Sequence, residues 1–166
     1  MHELTYSALN DLLGASFDMN AQADNFAYNL SKMQYNKMSD IVHHSYAHAF
    51  PVEFADAISD EMLLLDVRPI RKPGAGFDEE YTDINKIFED NVGMIMKYQK
   101  QVLDTIDIAE YNGDVSVKIF LEDFLVHTVD KFAAQALEWY KSAQRYDPIQ
   151  LNVHFAQLTT KIALVD

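Results

Sequence analysis

A chain of 166 residues, 49% of them hydrophobic and only five of them Gly, is long enough to close one core and too apolar to stay disordered. Its 26 acidic against 13 basic residues give a net charge of −13, which repels nucleic acid and anionic lipid and attracts cations, so no DNA partner is expected. The absence of cysteine removes disulfides, iron–sulfur ligation and zinc–thiolate sites.

The N-terminal stretch MHELTYSALNDLLG has neither a basic leader nor a long apolar run, and no segment reaches the roughly 18 apolar residues that a membrane span needs. A cytoplasmic protein with no membrane partner is the expectation. Leu4, Ala8, Leu12, Ala15, Met19, Ala23 and Phe26 recur every three or four residues, which predicts one long helix from Glu3 to about Leu30. A second periodic run carries Met38, Ile41, Val42, Ala49, Phe54, Ile58, Met62 and Leu65. Pro51 lies in its middle, lacks the N–H that a helix interior uses, and must kink the helix or start a new one.

The stretch DVRPIRKPGAG, with Pro69, Pro73, Gly74 and Gly76, reads as a loop long enough to cross the length of a bundle. A third helix is predicted from about Thr82 to Tyr111, with Ile84, Ile87, Phe88, Val92, Ile95, Val102 and Ile106 on one face. NGD at 112–114 is a short turn, and a fourth helix runs from about Val115 to Gln144. Pro148 closes it, and a weaker periodic segment after it suggests a short fifth helix. Two long helices, a crossover and two more long helices are the pattern of an all-α four-helix bundle with one long connection, occupying residues 1–146 and followed by a C-terminal extension at 147–166.

Three groups of residues carry possible chemistry. Asp56 and Asp60, four apart on a helix, stack on one face, where ionised carboxylates repel unless a cation, a proton or water intervenes. They are either a solvated edge or half of a metal site. His44 and His48 stand at i and i+4 with Asp40 one turn before, a spacing that aligns two imidazoles toward one metal, although histidines beside a kink also serve as ordinary surface or core residues. Asp123, His127 and Asp130 form a similar stripe, whose plainer reading is a solvated acidic face. No Gly-rich phosphate loop, His-Glu-x-x-His motif or nucleophile elbow occurs, and no organic cofactor is expected.

Several stretches resemble one family. LNDLLGASFDMNAQADNFAYNL at 9–30 is similar to the first helix of the Dps proteins, the starvation-induced mini-ferritins of the ferritin-like superfamily. Where those proteins have His-Trp-Asn, this chain has Ala27, Tyr28 and Asn29. Asp56, Asp60, Glu61 and Pro69 resemble the second-helix signature, and AEYNGDVSVKIFLED at 109–123 resembles the turn and entry of the fourth helix.

The resemblance implies a ferritin-like bundle that assembles into a hollow homo-oligomer of twelve chains, oxidises ferrous iron between subunits and stores the product. Carried over by position, Asp56 and Asp60 would hold iron, with zinc or manganese as alternatives, whereas Ala27 offers no ligand. Two functions follow: an iron-binding and possible ferroxidase protein of the Dps kind, or a ferritin-fold shell or interaction protein that has lost the redox chemistry.

Overall fold

The computed structural model of the protein describes residues 1–165, and its regular structure is helical throughout those residues. Helix α1 spans Glu3–Lys32, its start capped by the His2 side chain, which accepts from the Leu4 N–H. It ends in a Schellman turn: Tyr35 N–H bonds to Leu30 O, Gln34 N–H to Ser31 O, and Gln34 takes the left-handed conformation at φ 72°. The second rod, residues 36–64, is not one regular helix. It comprises α2 (Asn36–Ile41), a π-helical segment Val42–Ala47, a second π-helical segment Phe50–Ala55, and α3 (Asp56–Leu64).

Pro51 neither stops this rod nor restarts it. A continuous α-helix would need the residue 51 N–H to reach the carbonyl of Ala47, and proline has none. The side-chain amide of Asn20, on α1, donates to that carbonyl instead, at 2.8 Å. Pro51 itself stands at the start of the second π segment, where the wider helix accommodates the ring that would otherwise crowd the preceding turn.

Residues 65–83 then travel the length of α1 without secondary structure of their own. Their backbone groups are satisfied by α1 side chains taken in order along the helix, as buried or half-buried polar groups require. The Tyr6 hydroxyl donates to Arg68 O at 2.7 Å, Asn10 Oδ1 accepts from Ile70 N–H at 2.8 Å, and Asp18 Oδ1 accepts from Ala75 N–H at 3.0 Å. Asn29 finishes the set, donating to Glu79 O at 3.0 Å and accepting from Tyr81 N–H at 2.8 Å. At Gly74 a Cβ atom would lie 2.6 Å from Asp18 Oδ1, so a larger residue there would push the Asp18 carboxylate aside.

The crossover delivers the chain to the far end of α1, where α4 (Ile84–Tyr111) begins with Asp83 as its N-cap. The fourth rod is α5 (Val115–Phe124), a π-helical segment Leu125–Val129 and α6 (Asp130–Arg145). A short α7 (Pro148–His154) follows Asp147, whose carboxylate caps it. Its Leu151 and the next Phe155 are fully buried in the same core as the rods, with Phe155 stacked on Trp139 at 4.9 Å and Trp139 Nε1 donating to Thr159 Oγ1 at 3.0 Å.

The expected faces are largely the buried ones. On α1, however, the core row includes Leu9, Leu13 and Ser16, while Leu4 is exposed. The architecture is the all-helical bundle with one long crossover, in which two successive rods both run antiparallel to α1.

If the Asn20 amide substitutes for the N–H missing from Pro51, then Asn20→Ala should cost about 1–3 kcal/mol, the range for leaving a buried acceptor unpaired. In a Pro51→Ala background, where a backbone N–H is again present, the same change should cost measurably less. Denaturant unfolding of the four proteins in this cycle measures the difference; equal costs in both backgrounds would contradict the assignment.

Candidate metal centre

The bundle interior is aromatic. Phe54 packs against Phe132 at 4.9 Å, Tyr98 at 5.5 Å and Phe124 at 5.5 Å between ring centroids, and Tyr46 meets Phe50 at 4.9 Å and Trp139 at 5.0 Å. Such edge-to-face pairs contribute about 0.5–1.5 kcal/mol each beyond the area they bury. Among the described residues the buried polar side chains are Ser, Thr, Asn and Gln, and no Asp, Glu or His is buried.

The polar groups that do lie inside are neutral. Ser16 Oγ and Tyr98 Oη share a hydrogen bond at 3.0 Å, and Gln135 accepts from Lys161 N–H at 2.8 Å. The Tyr46 hydroxyl faces Asn91, yet neither it nor Asn91 Oδ1 completes a hydrogen bond. Burial pushes the Tyr46 and Tyr98 phenols far above the ordinary tyrosine range, so both stay protonated.

The ionisable clusters sit on the outside. Asp56 and Asp60 are both exposed on α3, and neither belongs to a group of three or more candidate ligands among the described residues. Asp123 and His127 are exposed and joined at 2.9 Å, whereas Asp130 turns to Gln99, whose Nε2 donates to it at 2.8 Å.

His44 and His48 do come together, and they bring His43 with them. Each offers a ring nitrogen, and the three nitrogens lie within 4.8 Å of one another. The ring centroids are 4.5 Å apart for His43 and His44, 4.4 Å for His43 and His48, and 5.4 Å for His44 and His48. Asp40 is not in this cluster, although it lines one recess together with His44. The acidic partner is Asp24 of α1, whose Oδ1 lies 2.7 Å from His43 Nδ1.

The π turn explains the convergence. In an α-helix of 3.6 residues per turn, positions 43 and 48 would point about 140° apart. In the segment Val42–Ala47 the helix is wider, and the His48 N–H bonds to the His43 carbonyl, five residues back, at 3.2 Å. Residues five apart then share a face. His43 carries no sequence signal as a partner of His48 unless that register change is known, and Asp24 is nineteen residues away on another rod.

A family model described as a ferritin-like domain matches residues 6–139. No curated protein matches the sequence. Among solved structures the chain is similar to the ferritin of M. penetrans, with 8% identity, TM-score 0.87 and coverage of 95% of this chain and 96% of that one. It is also similar to an open-pore ferritin from the hyperthermophilic archaeon Archaeoglobus fulgidus, with 14% identity, TM-score 0.86 and coverage of 96% and 98%. A humanized archaeal ferritin gives 16% identity, TM-score 0.87 and coverage of 96% and 97%. At these identities the likeness is one of fold.

Because Asp56 and Asp60 are exposed, their joint replacement by Asn should change stability by no more than about 0.5 kcal/mol in metal-free buffer, as surface substitutions usually do. Chemical denaturation of the double variant checks this. A loss of several kcal/mol would mean that the pair is part of a built network.

Proposed function

The chain belongs to the ferritin-like domain family, whose model spans most of it, and from that premise we propose that it is a ferritin-type assembly subunit that takes up iron at acidic surfaces without oxidising it inside the bundle. The observation that carries this reading is the aromatic, uncharged interior. Ferritin-like dinuclear centres are built from inward-facing Glu residues on two helices and a Glu-x-x-His pair on each of the other two. No Glu-x-x-His occurs in this sequence.

In the core the rods meet through Tyr46, Phe50, Phe54, Tyr98, Phe132 and Trp139. The remaining donors are protonated phenols, hydroxyls and carboxamides, which do not neutralise a pair of divalent ions. The residues present do not fit an interior metal pair.

Iron in this reading is cargo rather than a resident cofactor. A net charge of −13 per chain draws cations toward the assembly, and surface carboxylates such as Asp56 and Asp60 suit a hard or borderline divalent ion. Assembly into a closed homo-oligomer is supported by large apolar side chains left on helical surfaces, among them Leu64 at 78% exposure and Tyr111 at 90%, which a neighbouring subunit would cover.

The Dps subtype, with twelve chains and a ferroxidase site shared between subunits, is the second reading. The exposure of Asp56 and Asp60 favours it, since a site between subunits needs surface ligands. Ala27, fully buried where that family places its histidine, removes the partner ligand.

Ferrous iron added under air to metal-free protein, with oxidation followed optically and mass by light scattering, tests both halves. Oxidation no faster than in buffer, iron co-eluting with protein, and a multi-subunit mass are the expected results. Saturable acceleration at a fixed iron-to-chain ratio would restore a ferroxidase centre, and a monomer mass would overturn the shell.

A further inference from the structure

We propose that His43, His44 and His48 form a three-imidazole site for one divalent cation of the zinc–copper class, with Asp24 as the positioning residue for His43. The site lies outside the bundle core, on the second rod where it meets α1, and is independent of the iron-uptake reading.

Three features build it. The first is convergence: three ring nitrogens within 4.8 Å of one another can be reached by a single ion after small ring rotations, since zinc–nitrogen bonds are about 2.0–2.1 Å. The second is orientation. An ionised carboxylate only accepts hydrogen bonds, so the 2.7 Å contact with Asp24 Oδ1 places the proton of His43 on Nδ1 and leaves the lone pair of Nε2 free. A carboxylate behind a ligating imidazole is the usual means of fixing the tautomer and ring direction of a metal-bound histidine.

The third is a stiff backbone. Asn20 holds the Ala47 carbonyl at one end of the π segment, and Ser39 Oγ donates to the Ala27 carbonyl at 2.8 Å just before its other end, so the segment is fastened to α1 on both sides. The ligand-bearing turn is therefore positioned by the fold rather than by the ion.

The donor set chooses the cation. Neutral imidazoles suit zinc, copper and nickel, whereas magnesium, calcium and manganese prefer oxygen, and ferrous iron stands low in the order of affinity for such a site. Three protein ligands leave a position open, and beside His44 and His48 a recess of about 320 Å³, also lined by Glu53 and Val165, admits water or a small anion to complete the coordination.

The test uses the untagged, full-length protein as it assembles, stripped with a chelator and titrated with zinc by calorimetry, with magnesium as a comparison. Thermal unfolding is followed with and without zinc. The expected result is one zinc per chain, no magnesium binding at the same concentration, and a zinc-dependent rise in Tm. His44→Ala and His48→Ala, both at exposed positions, should each lose the tight zinc equivalent while keeping the metal-free Tm.

Asp24→Asn should weaken zinc binding by about 10–100-fold and also leave the metal-free Tm near that of the parent, which a purely structural role would not do. Iron retention should be unchanged in His48→Ala, so this proposal and the iron-uptake reading fail separately. No zinc binding by the parent, or undiminished binding by both histidine variants, would overturn the site; Asp24→Asn binding as tightly as the parent would overturn the role of Asp24.

Discussion

The backbone of the second rod cannot be a regular α-helix at Pro51, because the ring occupies the place of the N–H that the Ala47 carbonyl would accept. The fold resolves this by placing Pro51 at the start of a wider π segment and by lending the carbonyl a donor from α1, the Asn20 amide at 2.8 Å. Downstream, Phe54 faces the core from within the second π segment, and Ile58 and Met62 do so from the regular helix after it. Upstream, the separate π segment Val42–Ala47 swings His43 onto the same face as His48, and three imidazoles converge there.

The interior shows the opposite allocation of polarity. A buried carboxylate is tolerated only when a metal or a hydrogen-bonding partner compensates for its lost hydration. Rods that meet through Tyr46, Phe50, Phe54, Tyr98, Phe132 and Trp139 have no such group to compensate, and the space is filled by interlocking rings. Among the described residues the Asp, Glu and His side chains lie outside the core, the histidine cluster with them.

Much of the fold is legible in the sequence because it rests on period. Apolar spacing marks the four rods, and Pro69, Pro73, Gly74 and Gly76 mark the crossover. The turn at Gly113, with φ 74°, is also visible, since glycine is the usual residue for a left-handed helix end. The equivalent ends at Gln34 and Asp66, with φ 72° and 60°, carry no such residue and are fixed by tertiary context. The anchoring of the crossover by Tyr6, Asn10, Asp18, Asn25 and Asn29 is likewise hidden, because polar residues on an amphipathic helix ordinarily read as solvated.

The site divides along the same line. His44 and His48 are visible at a spacing of four, but Asp40, one turn away in sequence, does not join the three converging nitrogens, and the acidic partner is supplied by α1 through Asp24. His43 enters only through the π register, and Pro51 signals a break without saying which register follows it.

Where cations bind is the central claim, and anomalous scattering locates them directly. Crystals soaked in zinc, with data collected on both sides of the zinc absorption edge, should show a peak among His43, His44 and His48 and none between the rods near Tyr46 and Asn91. A peak in the bundle interior, with no density at the imidazoles, would contradict the account.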